Sequence, residues 1–182
     1  MKDLVNDYFD GNITTMTAQD FGNITKIRTR AFSRDVSSTN VTNPATLTNI
    51  EFPNTLKIIE AFSFIGHNPS SLIIPDNVID IGKSAFLNSP PTTITIGKSV
   101  NKIDGSAFAI RLGNPSLTEI TFRQPAGMTI SLPTAGSGNG MFYSKKAYEI
   151  TIYTDNETIK NYDWAKDNVT ATFKHLDGSD WA

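Results

Sequence analysis

The chain has 182 residues, 38% hydrophobic and 19% charged, with 16 Lys+Arg against 18 Asp+Glu. This suits one folded domain spanning residues 1–182 and excludes a disordered chain; the even charge balance argues against nucleic acid as a partner. The absence of cysteine removes disulfides, Cys-ligated zinc, iron–sulfur clusters and Cys nucleophiles.

The first ten residues, Met1 to Asp10, interrupt their apolar positions with acids and leave no room for a signal-peptide core. No apolar run reaches the ~20 residues of a membrane helix, so membrane insertion is not expected. Leu4, Val5, Tyr8 and Phe9 fall on one side of a short helix that Gly11 ends, an N-terminal cap within residues 1–23. Lys26, Arg28, Arg30 and Arg34 then form a small basic cluster, either a solvated surface or a contact for an acidic partner.

From residue 24 the chain repeats. Ala-Phe occurs at Ala31-Phe32, Ala61-Phe62, Ala85-Phe86 and Ala107-Phe108, with a weaker Met141-Phe142. Ile81-Gly82-Lys83-Ser84-Ala85-Phe86 matches Ile103-Asp104-Gly105-Ser106-Ala107-Phe108 without gaps, and so does Ile27 to Phe32. Ile24, Val78 or Val100 stands eight residues before the Phe, whereas the Phe62 copy, measured from Leu56, is two residues short. Between these lie alternating segments beginning at Ile50, Leu72, Ile94, Ile120 and Ile150, spaced by 22, 22, 26 and 30 residues. Each reads as a strand with one buried face. Pro53, Pro75 or Gly97 ends three of them, and Asn43-Pro44, Asn68-Pro69, Ser89-Pro90 and Asn114-Pro115 mark the turns that follow each Phe.

Each unit therefore predicts a strand, a turn, a return segment and an Ala-Phe that plugs the interior. One unit cannot bury its own face, so units over residues 24–153 must stack, with their strands in one parallel sheet. A β-sandwich, whose strands recur every 8–12 residues, does not explain matches at this spacing. Residues 124–140 are an insertion, and its Ala135-Gly136-Ser137-Gly138-Asn139-Gly140 lacks the following helix and the Lys-Ser/Thr pair of a phosphate loop. Thr154-Asp155-Asn156-Glu157 reads as a capping box with Thr154 at the N-cap. It opens a helix that carries Ile159, Tyr162 and Trp164 inward. Val169 to Phe173 is a closing strand, and residues 154–182 form a C-terminal cap and tail.

No residues converge on a catalytic, cofactor-binding or metal site, and no cofactor is expected. His67 and His175 read as separate, exposed structural side chains. Asp76, Asp80 and Asp104 read as acceptors for backbone N–H groups near turns. The remaining candidate is the outward sheet face: Glu51, Ile73, Thr95, Thr121 and Thr151 on successive strands, with Glu119 and Glu149 flanking. Such a ladder is either a partner-binding surface or a merely solvated one, and Ile73, exposed among threonines, favours the first.

A short strand, Pro, Asn or Ser, Val, a polar spacer and Ile-Gly-x-x-Ala-Phe stand most clearly at Leu72 to Phe86. With the parallel stretch Ile94 to Phe108, this pattern resembles the BspA-type leucine-rich repeat, in about five units over roughly residues 24–165. Ile150-Thr151-Ile152-Tyr153, followed by Tyr162 and Trp164, is similar to the family's last unit. The resemblance implies a right-handed solenoid, mostly β and irregular with short helices at the ends. It also implies binding or adhesion to macromolecules at the surfaces of bacteria and some protozoa, and it carries no shared catalytic residues. Joined to the absence of an export signal, it points to a structural or host-recognition subunit of a phage virion. Such a subunit would bind a protein or surface glycan and assemble into a larger particle. The alternative is a bacterial cell-surface adhesin whose signal or anchor lies outside this sequence.

Overall fold

The computed structural model describes residues 13–34, 46–135 and 138–181. The expected cap residues Leu4, Val5, Tyr8, Phe9 and Gly11, and the Asn43-Pro44 turn, lie outside the described residues. Within the cap region stands an unanticipated helix, α1 (Ala18–Phe21). Thr17 Oγ accepts from Asp20 N at 3.4 Å, and the Asp20 carboxylate accepts from Thr17 N at 2.8 Å. This reciprocal capping lets so short a helix form and turn Phe21 into the core.

The strands are β1 (Thr15–Met16), β2 (Lys26–Ile27), β3 (Asn49–Ile50), β4 (Ile58–Ile59), β5 (Ser71–Ile74), β6 (Asp80–Ile81), β7 (Thr93–Ile96), β8 (Lys102–Ile103), β9 (Glu119–Phe122), β10 (Tyr148–Thr154) and β11 (Val169–Lys174). The single sheet expected from the sequence is corrected: the described residues form three parallel sheets. One has five strands in the order β11-β10-β9-β7-β5, a second has four in the order β2-β4-β6-β8, and β1 pairs with β3. The second sheet consists of return segments. Each contributes two residues, and Ile27, Ile59, Ile81 and Ile103 stack in register with at most 1% of their surface exposed. Two residues are too few to display an alternation, so these strands exist only through their neighbours.

Between the two sheets runs a column of rings: Phe32, Phe64, Phe86, Phe108 and Phe142. Successive centroids are 5.1, 5.3, 5.4 and 4.9 Å apart and the rings are within 12° of parallel. The sequence reading placed Phe62 in this column, and the structure corrects it to Phe64. Ile59 to Phe64 then matches Ile81 to Phe86 without a gap, and the two missing residues disappear. Phe62 instead occupies the left-handed position shared by Arg30, Ser84 and Ser106, with φ of 62°, 62°, 54° and 59° for Phe62, Arg30, Ser84 and Ser106. Its ring lies 5.6 Å from the Arg30 guanidinium carbon. Backbone N–H groups beside the column each reach the next coil, as Phe64 N to Ala85 O (2.7 Å), Phe86 N to Ala107 O (2.7 Å) and Phe108 N to Met141 O (3.0 Å). Hydrogen bonds thus join adjacent coils along the sheets and beside the plugs.

At the C-terminal end the expected capping box is also corrected. Thr154 ends β10, fully buried, and its Oγ accepts from Asn156 N at 3.0 Å. Asn156 is the N-cap of α2 (Glu157–Lys160), accepting from Thr158 N and Ile159 N. α2 stops at Lys160, so Tyr162 and Trp164 lie beyond it; Trp164 opens the 3₁₀ turn Trp164–Asp167 and packs on Phe122 and Phe142. The closing strand is present as β11, parallel to β10.

Candidate functional site

The strands of the larger sheet bury alternate residues, Leu72, Ile94, Ile120 and Ile152 on one register line and Ile74, Ile96 and Phe122 on the next. Their other residues point out and form two rows. One runs Ser71, Thr93, Glu119, Thr151, Thr172; the other runs Ile73, Thr95, Thr121, Tyr153, Lys174. Ile73 keeps 60% of its surface exposed. Ile73, Thr95 and Thr121 therefore stand side by side as the sequence reading had them.

Thr151 does not continue that row. It pairs with Glu119, and Tyr153 stands beside Thr121. Ile150, Ile152 and Thr154 are all buried, so the strand offers two registers to a reader matching Ile-Thr-Ile motifs. Aligning instead on the strand end, where Thr154 pairs with Phe122, selects the observed one. Glu119 thus lies inside the face, flanked by Thr93 and Thr151, while exposed Glu149 sits one step below, opposite Thr170.

Glu51 is not in this sheet. Its backbone N–H donates to Met16 O at 2.8 Å, which ties it to β1. Between β3 and β5 lies a groove of about 390 Å³, with Glu51 and Asn49 on one wall and Ser71 and Ile73 on the other. Pro75 accounts for the break. At the matching place in β9, the N–H of Arg123 donates to Ile96 O at 3.0 Å, and proline has no N–H to give. Gly97, the next equivalent, packs so closely on Pro75 that a Cβ would run into the Pro75 carbonyl; Pro75 itself carries that Cβ. Beside the strand ends, Asp76 accepts from Lys98 N at 3.2 Å and pairs with Arg123 at 3.1 Å.

The other polar candidates are structural. His67, expected exposed, is 1% exposed. Its Nε2–H donates to Phe32 O at 2.6 Å and its Nδ1 accepts from Leu47 N at 3.1 Å. Burial pushes its pKa down to about 4 and nearby Arg34 adds to this, against the Phe32 bond, so the ring is neutral at pH 7. His175 pairs with Asp155 at 2.8 Å and stacks on Trp181 at 4.3 Å. The basic cluster is largely turned to the coil: Lys26 pairs with Glu60 at 3.4 Å, and Arg34 donates to Thr46 Oγ at 2.7 Å and Gly66 O at 2.8 Å. Asp80 and Asp104, expected near turns, both hold Lys102 at 3.3 Å.

The Gly-rich segment, described except for Gly136 and Ser137, closes the last coil. The buried Asp167 carboxylate accepts from Phe142 N at 3.1 Å and Tyr162 OH at 2.9 Å. That carboxylate occupies the space a Cβ at Gly140 would need. Among the described residues no group of three or more His, Asp or Glu could hold a metal ion, and no helix is long and apolar enough to cross a membrane.

The face is thus a rigid strand array, largely uncharged, rimmed by a groove at one end and Tyr153 and Lys174 at the other. The family model for the BspA type leucine rich repeat region matches the chain in six copies over residues 42–170, where the sequence reading counted about five. No curated protein and no solved structure matches.

Proposed function

Since the chain belongs to the BspA-type leucine-rich-repeat family, a family of interaction and adhesion modules, we propose that it binds a protein or surface glycan through the outward rows of its larger sheet. The register carries this reading: Ile73, Thr95, Thr121 and Tyr153 form one continuous outward line, exposed at Ile73 and half-buried at the other three, with Thr93, Glu119 and Thr151 beside it. Hydroxyls at strand spacing, one apolar side chain and one aromatic ring suit a preorganised contact surface whose backbone is already immobilised by the coil. Glu51 and Glu149 border it, so five of the seven residues expected from the sequence lie within the two rows. Buried His67 and Asp167 and half-buried Tyr162 direct their hydrogen bonds to the coil itself. We read the whole chain as one domain, wound right-handed as parallel crossovers favour.

The finer reading is a structural or host-recognition subunit of a phage virion, with a bacterial surface adhesin as the alternative. Capsid and tail genes found beside its gene would support the first; a coding sequence found to continue upstream into an export signal would support the second. The face itself is tested by applying labelled protein to intact bacterial cells and to immobilised glycans. Thr95→Arg with Thr121→Arg is expected to weaken binding roughly tenfold or more, about 1.4 kcal/mol, with the circular-dichroism melt unchanged. Undiminished binding by the folded double variant rules this surface out.

A further inference from the structure

β3 and β5 lie on successive coils and yet are not paired. The backbone groups they turn towards each other follow from bonds on their far sides. Glu51 N donates to Met16 O at 2.8 Å, so Glu51 faces β1, and by alternation Ile50 and Phe52 face β5. Arg123 N donates to Ile96 O at 3.0 Å, so Ile96 faces β9 and Thr95 faces β5. In a parallel ladder Thr95 then bonds to the residues flanking its partner Ile73, which leaves Ser71 and Ile73 facing β3. Two polar edges thus line the groove, with the C=O of Ile50 and Ser71 as acceptors and the N–H of Phe52 and Ile73 as donors.

The groove is tied shut at both ends. Ser70 N donates to Thr48 O at 3.1 Å, and beyond Pro75 the Asn77 Nδ2 donates to Asn54 O at 2.8 Å. An inserted strand would need β3 and β5 about 9–10 Å apart throughout, twice the ordinary spacing, so no extended chain runs through this slot. Its volume of about 390 Å³ instead admits a compact group entering from the solvent face. The mouth carries exposed Glu51, Ser71 and Ile73 and half-buried Asn49. Asn49 Nδ2 donates to Glu51 Oε1 at 3.3 Å, which aims the carboxylate and leaves its other oxygen uncommitted among the described residues.

This lining selects the chemistry of an occupant. An apolar group would leave the facing backbone groups without partners. A guanidinium or ammonium group only donates, so the N–H groups of Phe52 and Ile73 would go unanswered. A metal ion would find a single carboxylate. Hydroxyls both donate and accept, and a pyranose carries several at fixed spacing around a ring with apolar C–H faces.

We propose that the slot between β3 and β5 is a saccharide subsite that takes one pyranose ring of a neutral glycan. Glu51 and Asn49 hold adjacent hydroxyls, the Ser71 hydroxyl and the open backbone groups hold others, and the Ile73 side chain lies against a C–H face. The Glu51 charge repels sugars that carry a carboxylate. The inference rests on the outward face being a binding surface and commits it to a glycan, with the rest of the chain laid along the rows beyond Ile73.

Amide chemical-shift mapping on the full chain tests this, with glucose, galactose, mannose and N-acetylglucosamine as probes. At least one is expected to shift the Phe52 and Ile73 amides with Kd of roughly 0.1–10 mM, as suits so small a ligand. Glu51→Ala is expected to weaken that binding roughly tenfold or more, whereas Glu149→Ala, on an exposed carboxylate outside the slot, leaves it unchanged. Should Glu51→Ala fail to fold, the wild-type chain decides: glucuronic acid is expected to bind roughly tenfold or more weakly than glucose. The proposal is overturned if none of the four sugars moves those amides at about 100 mM, if Glu51→Ala binds undiminished, or if glucuronic acid binds as tightly as glucose. Cell or glycan binding that Thr95→Arg with Thr121→Arg abolishes and Glu51→Ala leaves intact overturns the subsite and keeps the face. The reverse pattern keeps the subsite and removes the rows.

Discussion

Replacing Phe86 by Ala probes the ring column at its centre. The side chain is fully buried, with Phe64 and Phe108 stacked on its two faces at 5.3 and 5.4 Å and Phe52 edge-on at 6.3 Å. Relaxation into the vacated space is restricted, because the coil spacing is held on one side by the β5–β7 ladder and on the other by β4–β6. A cavity that cannot collapse places the cost in the range of about 3–5 kcal/mol found for large aromatic truncations in cores. For a domain of this size, each kcal/mol lowers the melting temperature by roughly 2–4 °C, so a fall of about 6–20 °C is expected by calorimetry. Phe62→Ala is the internal control. Phe62 lies outside the column at a φ of 62°, so its loss relieves no cavity-bearing position and is expected to cost less than about half as much as Phe64→Ala. An unmoved melting temperature for Phe86→Ala, or equal effects at Phe62 and Phe64, would refute the stacked column.

Stability is expected to depend on pH through His67. Its folded pKa of about 4 lies below the 6.5 of the unfolded chain, so the unfolded state binds the extra proton. Stability is therefore complete above pH 6.5 and falls as the pH drops towards 4, by up to roughly 3 kcal/mol. Urea titrations at stepped pH check this, and His67→Gln should flatten the slope within that window. Gly140→Ala forces a methyl into the Asp167 carboxylate and is expected to destabilise by about 2–4 kcal/mol through the loss of buried bonds. Gly127→Ala, where a Cβ meets nothing within 4 Å, should stay within about 0.5 kcal/mol; equal melting temperatures for the two variants would contradict the Asp167 closure.

The candidate face was legible in part, for a reason visible in Ile73, Thr95 and Thr121. Where units recur at even spacing, alternation alone predicts which side chains become neighbours. It fails at β10, because seven consecutive alternating residues fit the neighbour in more than one way. The observed register is the one that sets Thr154 beside Phe122 at the strand's end. It fails at Glu51 for a different reason. The repeat is regular there, but Pro75 has no N–H to give to the neighbouring strand, where Arg123 at the matching place of β9 donates to Ile96 O.

By itself the sequence determined the repeat, the inward and outward residues of each long strand, and the need for stacking, because alternation and spacing are properties of the chain read locally. Only the tertiary structure decided which Phe enters the column, since Phe62 and Phe64 are equivalent as apolar residues. They separate only when Ile59 pairs with Ile81 and sets the register. It likewise decided that two-residue return segments become a second sheet, and that His67 is buried and neutral. Each of these depends on contacts between residues about one coil apart, and the sequence contains the partners without stating that they meet.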